Sequence, residues 1–241
     1  MIIGGLEKLT LIDYPNHLAA IIFTFGCNFR CHYCYNPMLV LPQEGKDVKN
    51  KEDLSSIASK DLFLFLQERF GRLEGVVITG GEPTLHSDLP DFIRKIKKIG
   101  YLVKLDTNGT NPEMLEKLIK AKLVDYLAMD IKSDADHYEN AVSAKVDFKK
   151  LEKSAKLIMT SGLPYEFRTT MVPGLVDKEI FLAMGSFIKG AKKWYLQNFK
   201  SDTNLVDADF KNQKSFSLKE MKEFVRLGRD FVEFCDDRSG D

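Results

Sequence analysis

Short apolar runs alternate with amphipathic, helix-like segments along most of this chain, and no other feature limits its possible folds as strongly. Six of these runs have the composition and length of buried strands, and a helical pattern follows each one. They cover residues 19–25, 75–79, 102–106, 126–130, 165–172 and 194–199. Strict alternation favours parallel strands joined by right-handed crossovers. We therefore predict an α/β fold built from six strand–helix units.

The chain contains no composition break or low-complexity linker that would divide its 241 residues. α/β barrels of this length are commonly single domains. We expect one domain over residues 1–241, with a core at about 17–199 and a C-terminal loop and helix over 200–241.

Four other regions carry expectations of their own. An additional strand and turn are expected around residues 9–15, before the first of the six strands. Residues 37–51 are polar and poorly periodic, which predicts a long loop before a helix over 54–70. A polar connection is expected over 134–146. Residues 200–216 form a polar loop, after which the capping box Ser217-x-x-Glu220 begins the last helix.

The segment after the first predicted strand carries three of the four cysteines, Cys27, Cys31 and Cys34, in the spacing C-x3-C-x2-C. Three thiolates on one loop can hold three corners of an iron–sulfur cube, whereas a full [4Fe–4S] site normally takes four cysteines. One iron would then have no protein ligand and could bind another group. A C-x2-C pair also suits zinc, for which a fourth ligand would be missing here.

The fourth cysteine, Cys235, lies far from this loop. It continues an apolar pattern typical of the inward face of one helix, and we expect a small buried core residue there. The residues of that pattern are Met221, Phe224, Val225, Gly228, Phe231, Val232 and Cys235. The four histidines follow no metal-binding spacing; they are His17, His32, His86 and His137.

Charge and composition exclude several classes of protein. The 35 basic and 35 acidic residues cancel, so no excess of positive charge points to nucleic acid or to an anionic membrane surface. No apolar run approaches the roughly 18 residues of a membrane span. The N-terminus lacks the pattern of a signal peptide, and four cysteines are too few for a disulfide scaffold. We expect a cytoplasmic protein with reduced thiols.

Polar residues of unusual type follow the predicted strands at their C-terminal ends. They are the three loop cysteines, Gly80-Gly81-Glu82, Asp106-Thr107, Asp130 with Lys132, and Gln197-Asn198, while Arg168 lies within the fifth strand. In parallel α/β sheets these ends share one face, where catalytic groups collect. Each feature alone also fits a structural role, since paired glycines form tight turns and Asp130 with Lys132 fits an exposed ion pair.

Two motifs in this order resemble the radical S-adenosylmethionine (SAM) superfamily. They are the C-x3-C-x2-C loop, with the aromatic Tyr33 before its last cysteine, and Gly80-Gly81-Glu82-Pro83. Further stretches resemble the glycyl-radical-enzyme activases, in particular those of anaerobic ribonucleoside-triphosphate reductases. These stretches are residues 4–15, 26–31, 106–109 and 129–132. Tyr35 departs from that pattern, because such activases often have histidine there.

The resemblance implies a partial (β/α)6 barrel, a [4Fe–4S] cluster on the three loop cysteines, and SAM on the open iron. By position, Tyr33 would lie near the adenine, and Gly80, Gly81 and Glu82 would hold the amino end of SAM. Asp106, Thr107, Met129 and Asp130 match the residues that form a monovalent-cation site in the activases. Lys132 matches a residue that contacts the carboxylate of SAM, and Arg168 matches a residue that lies near the ligand and the peptide substrate.

The resemblance also implies the reaction and the partners. One electron from a donor such as flavodoxin or ferredoxin would lead to cleavage of SAM, and the resulting radical would take hydrogen from a glycine of the partner. The expected partner is a glycyl-radical enzyme, namely an anaerobic ribonucleotide reductase. Two alternatives stay open. One is radical SAM chemistry on a small molecule or another peptide, as in deazaguanine-type or maturase relatives, and the other is a zinc-stabilised binding module.

Overall fold

The computed structural model describes residues 1–40 and 57–238, which contain eight β-strands and eight α-helices. The strands are β1 (Ile3–Thr10), β2 (Ala19–Thr24), β3 (Gly75–Gly80), β4 (Leu102–Thr107), β5 (Tyr126–Asp130), β6 (Tyr165–Met171), β7 (Lys193–Asn198) and β8 (Phe234–Asp237). The helices are α1 (Pro37–Val40), α2 (Ser59–Arg69), α3 (Leu89–Ile99), α4 (Pro112–Lys120), α5 (Tyr138–Val142), α6 (Phe148–Thr160), α7 (Lys178–Phe187) and α8 (Leu218–Gly228). Short 3-10 helices cover Pro83–Leu85 and Ala208–Asn212.

The predicted alternation is confirmed. The six predicted strands correspond to β2 through β7, and helical segments follow each of them. The capping box of α8 is also present, since Ser217 Oγ accepts from the Glu220 N–H while the Glu220 side chain accepts from the Ser217 N–H. None of the helices in the described residues has the length and apolarity needed to cross a membrane.

The described residues belong to two compact units. The first unit comprises Met1–Asn28, Met38–Thr107 and Glu113–Leu127, and the second comprises Phe29–Pro37, Asn108–Pro112 and Ala128–Asp241. The expectation of a single domain stays a prediction.

In the first unit, β2, β3 and β4 are parallel neighbours, with Ala19 opposite Gly75 and Gly75 opposite Leu102. Strand β1 pairs antiparallel with β2. This additional strand was predicted around residues 9–15, but it lies earlier, because pairing with the buried β2 selects Ile3–Thr10. The residues that follow it turn back, and Tyr14 packs so closely over Gly75 that a Cβ there would lie 2.7 Å from the Tyr14 ring.

In the second unit, β6, β7 and β8 are parallel neighbours, and Trp194 of β7 lies opposite Phe167 and Cys235. The Trp194 ring is fully buried and stacks on Phe181 of α7 at 4.6 Å between centroids. Its Nε1 donates to Thr169 Oγ1 at 2.9 Å, so the polar end of the largest core side chain is satisfied.

Cys235 is buried as predicted, and burial raises the pKa of its thiol to about 12. The prediction of one helix through Cys235 is wrong, because α8 ends at Gly228 and Cys235 lies on β8. The two residues pack together: a Cβ on Gly228 would lie 2.5 Å from Cys235 Sγ. The apolar spacing therefore reflects two elements that share one core.

Two predicted loops contain helices. The connection over 134–146 includes α5, because Tyr138, Ala141 and Val142 are buried and hold a helical turn against the core. The predicted loop over 37–51 begins with α1, and its remainder lies outside the described residues. The helix predicted over 54–70 is described from Ser59 to Arg69.

Candidate functional site

The backbone just before Cys27 is fixed by two hydrogen bonds in the first unit. Gly26 has a positive φ of 95°, which favours glycine. Its N–H donates to the Leu39 carbonyl at 2.8 Å, and its carbonyl accepts from the Glu82 N–H at 2.8 Å. The beginning of the cysteine loop is therefore bonded directly to the segment that follows β3.

The paired glycines after β3 are explained by this close approach. The Gly81 N–H donates to the Thr24 carbonyl at 2.8 Å. A Cβ on Gly81 would lie 1.9 Å from the Gly26 carbonyl oxygen, and one on Gly80 would lie 2.5 Å from the Thr24 nitrogen. Glycine is thus required by backbone packing, whereas the predicted approach of a ligand at these positions stays a prediction.

Glu82 is only 1% exposed, and its carboxylate accepts hydrogen bonds from two threonines. Its Oε1 accepts from the Thr84 N–H at 3.1 Å, from Thr84 Oγ1 at 2.5 Å and from Thr107 Oγ1 at 2.8 Å. The structure therefore brings together two predicted site residues, Glu82 and Thr107. These bonds fix the direction of the carboxylate, as positioning of an ammonium group would require.

Sequence reasoning missed Lys104, which lies two residues before Asp106 on the same face of β4. Lys104 Nζ lies 2.6 Å from Asp106 Oδ1, and the side chains are only 1% and 9% exposed. Lys104 Nζ also lies 5.8 Å from the centroid of the Tyr126 ring. Burying a charge is costly unless the charge is paired, so Lys104 and Asp106 each offset the cost of burying the other.

The second unit contains Cys31, Tyr33 and Cys34. Cys31 is buried, which raises the pKa of its thiol to about 11 even though the charge of Lys132 acts in the opposite direction. The Tyr33 hydroxyl is buried without a hydrogen-bond partner among the described residues. Burial also raises the pKa of Tyr33 well above its ordinary value. None of the four cysteines, all of which are described, forms a disulfide.

Asp130, Lys132 and Arg168 form one cluster of charges in this unit. Arg168 Nε lies 3.0 Å from Asp130 Oδ1, and Lys132 Nζ lies 3.3 Å from Asp130 Oδ2. Burial alone would raise the pKa of Asp130, but the charges of Arg168 and Lys132 lower it to about 2. Lys132 Nζ also lies 6.0 Å from the Tyr33 ring centroid. The structure thus brings together four of the predicted site residues.

The donor set fits the implied cluster and cofactor. A cube takes its three thiolates on three different irons, so the cysteines need not converge on a single ion. In residues 1–40 and 57–238, no group of three or more His, Cys, Asp or Glu side chains is arranged to hold one metal ion. The buried Tyr33 hydroxyl, which the described protein leaves without a partner, fits a polar ligand beside the cysteine loop.

Asn198, singled out from the sequence as a polar residue near a strand end, has a structural role. Its Nδ2 donates to the Phe216 carbonyl at 2.6 Å, and its Oδ1 accepts from the Phe216 N–H at 3.1 Å. These bonds close the polar loop that follows β7.

Comparisons with known proteins agree with these motifs. Residues 21–184 match the family model described as "Radical SAM superfamily". The chain is 32% identical over 237 residues to a Methanocaldococcus jannaschii protein named "Putative glycyl-radical enzyme activating enzyme", covering 96% of this chain and 93% of that protein. It is 28% identical over 201 residues to the pyruvate formate-lyase-activating enzyme of Streptococcus mutans, covering 79% of this chain and 73% of that enzyme.

Among solved structures, SuiB of Streptococcus suis bound to its precursor peptide SuiA matches with a TM-score of 0.64 at 17% identity. The match covers 89% of this chain but only 47% of SuiB. At this identity the likeness shows the fold alone, and it confirms the predicted fold class.

Proposed function

The chain belongs to the radical SAM superfamily, whose enzymes use a [4Fe–4S] cluster and SAM, and we propose that it places a glycyl radical on a partner enzyme. The observation that carries the cluster and SAM part of this proposal is the number of available ligands, and the likeness to a glycyl-radical enzyme activating enzyme carries the choice of substrate. Cys235 is buried on β8 beneath Gly228, which leaves Cys27, Cys31 and Cys34 for the cluster. A cube held by three cysteines keeps one iron open for SAM.

When bound, the reduced cluster and SAM would supply one-electron reductive cleavage of SAM and, through it, removal of a hydrogen atom from a substrate carbon. The residues of this chain bind and orient the reactants. We assign Glu82 to the amino group of SAM and Lys132 to its carboxylate. Both side chains are already directed, Glu82 by Thr84 and Thr107, and Lys132 by Asp130.

Tyr33 would pack at the adenine, and Arg168 would face the cofactor or the substrate peptide. The contact of Arg168 with Asp130 supports this role, since it fixes the direction of the guanidinium that β6 carries. Gly80 and Gly81 would let the backbone of the first unit approach the amino end of SAM. Asp106, Thr107, Met129 and Asp130 would contribute to a monovalent-cation site.

We further propose an anaerobic ribonucleotide reductase as the partner and a flavodoxin or ferredoxin as the electron donor. The nearly full-length likeness to a protein named as a glycyl-radical enzyme activating enzyme supports a glycyl-radical partner. The stretches 4–15, 106–109 and 129–132 support the choice of the reductase.

The test is incubation of reconstituted, reduced protein with SAM and either an anaerobic ribonucleotide reductase or a pyruvate formate-lyase. We expect electron paramagnetic resonance to show a stable glycyl radical on the reductase, with 5′-deoxyadenosine in comparable amount. A signal on the lyase alone would overturn the choice of partner. Cleavage of SAM with no glycyl radical on either protein would overturn the activase assignment and favour a small molecule or another peptide.

A further inference from the structure

A loop of the second unit crosses the cysteine loop and bonds to its backbone. We call this loop, Phe199–Phe216, the strap. The Val206 N–H donates to the Cys34 carbonyl at 3.2 Å, and the Asp207 N–H donates to the His32 carbonyl at 3.1 Å. The strap therefore pairs with the short stretch of chain that carries Cys31 and Cys34.

His32, which lies between these two cysteines, is held on three sides. Its Nδ1 lies 2.8 Å from Asp207 Oδ2, and its Nε2 lies 2.9 Å from Ser143 Oγ at the end of α5. The ring stacks on Phe210 of the strap, with centroids 5.1 Å apart and planes 10° from parallel. Because a carboxylate only accepts, Nδ1 carries the proton in the contact with Asp207.

Tyr35, on the other side of Cys34, is held by the same strap. Its hydroxyl accepts from the Lys200 N–H at 2.8 Å, and its ring stacks on Phe199 at 6.4 Å. The strap is closed on itself by Ser215 Oγ, which donates to the Phe199 carbonyl, and it is anchored to the rest of the unit by Gln213 Nε2, which donates to the Pro173 carbonyl. The residues flanking Cys34 thus share one support.

We propose that the strap holds the Cys31–Cys34 segment in its cluster-binding conformation, with Asp207 as a positioning residue that acts through His32. This inference rests on cluster binding by the loop cysteines. A loop that must be ordered by its ligand loses conformational entropy on binding, whereas a preorganised loop does not. The bonds from Asp207 and Val206 to the loop carbonyls, together with the held His32 ring, remove that cost.

The test measures release of iron to a ferrous chelator from anaerobically reconstituted protein. We expect Asp207→Ala to release iron about tenfold faster than the natural protein, the effect of one lost hydrogen bond to a charged group. His32→Ala also loses the Ser143 bond and the stacking on Phe210, so its release should be at least as fast. Because Asp207 acts through His32, the double variant should release iron no faster than His32→Ala. Asp207→Asn keeps an acceptor oxygen and should restore slow release.

Asp209→Ala is the matched control, because it removes an exposed carboxylate from the same strap, and its iron release should equal that of the natural protein. Thermal unfolding of the cluster-free proteins tells a positioning effect from a general loss of stability. We expect the unfolding midpoints of the variants to stay close to that of the natural protein. Should Asp207→Ala fail to fold, His32→Phe keeps a ring on Phe210 and loses only the hydrogen bonds, and it should show the same acceleration.

Natural rates of iron release in His32→Phe and in every folded variant would overturn the proposal. So would single effects that multiply in the double variant, since the two residues would then act separately. Failure of the natural protein to take up iron and sulfide is a different result, which would overturn cluster binding and with it the proposed function.

Discussion

Lys104 Nζ lies 2.6 Å from Asp106 Oδ1 inside the first unit, where both side chains are almost completely buried. Asp106 is one of the residues predicted to hold a monovalent cation. The ammonium group of Lys104 supplies a positive charge to the same carboxylate from within the chain. The cation itself stays a prediction, and Lys104 gives Asp106 a fixed partner whether or not a cation binds.

Replacing Lys104 should therefore destabilise the protein strongly. Lys104→Met removes the ammonium group from a buried carboxylate, and we expect the free energy of unfolding to fall by about 3–5 kcal/mol. Urea denaturation of the cluster-free protein measures this change. Lys98→Met, at an exposed position, should change the stability by no more than about 0.5 kcal/mol. Equal stabilities of the two variants would show that the buried pair contributes nothing.

Much of the fold could be predicted because burial of a parallel strand on both faces leaves a continuous apolar run in the sequence. Strands β2, β3 and β5 carry that signal clearly, whereas polar residues such as Lys104, Arg168 and Gln197 interrupt it in β4, β6 and β7. β8 does not carry it, since Phe234–Asp237 contains two aspartates and its pairing of Cys235 with Trp194 is a tertiary contact. The sequence also did not predict that α8 ends at Gly228, because this end depends on the packing of Cys235 against Gly228.

The candidate site was predictable where motifs are local, as in the cysteine loop and the glycines after β3. Lys104 was missed although alternation places it on the face of Asp106, because the sequence does not show that this face is buried. The support of His32 was hidden for a different reason. Its partner Asp207 lies 175 residues away, so no local spacing relates the two.

The charge cluster around Asp130 predicts a dependence of stability on pH. The pKa of Asp130 is about 2 in the folded protein, below its ordinary value of about 3.9. The ionised carboxylate thus stabilises the fold fully above about pH 4, and this contribution is lost as the pH falls toward 2. The stability difference between the natural protein and Asp130→Asn, measured by thermal unfolding, should shrink over that range. A difference that is constant from pH 6 to pH 2 would contradict the assignment.

Adding a side chain at Gly81 should be costly, because the new Cβ would meet backbone atoms, which cannot move aside as a side chain can. A Cβ at Gly81 would lie 1.9 Å from the Gly26 carbonyl oxygen, whereas one at Gly5 would lie 3.4 Å from the Phe23 side chain. We expect Gly81→Ala to cost about 3 kcal/mol of unfolding free energy, the upper end for overpacking, and Gly5→Ala to cost less than about 1 kcal/mol. Urea denaturation compares them, and equal costs would refute the close approach of Gly81 to Gly26.

Glu82 and Lys132 predict losses of cofactor affinity. Glu82→Ala and Lys132→Ala should keep the cluster but weaken SAM binding by about 1–3 kcal/mol each, the range for losing a hydrogen bond to a charged group. Calorimetric titration of reconstituted protein with SAM measures this, with the exposed Lys145→Ala as the control for the loss of a lysine from the second unit. Unchanged affinity in both variants would mean that neither side chain contacts SAM.

The central claim is that three cysteines, and not the fourth, support radical SAM chemistry. The most direct measurement is 5′-deoxyadenosine formed from SAM by anaerobically reconstituted, dithionite-reduced protein, alongside iron and sulfide content. The natural protein and Cys235→Ala should hold about four iron and four sulfide per chain and form 5′-deoxyadenosine. Cys27→Ala, Cys31→Ala and Cys34→Ala should do neither. Loss of the cluster in Cys235→Ala, or 5′-deoxyadenosine from any of the three loop variants, would contradict the account.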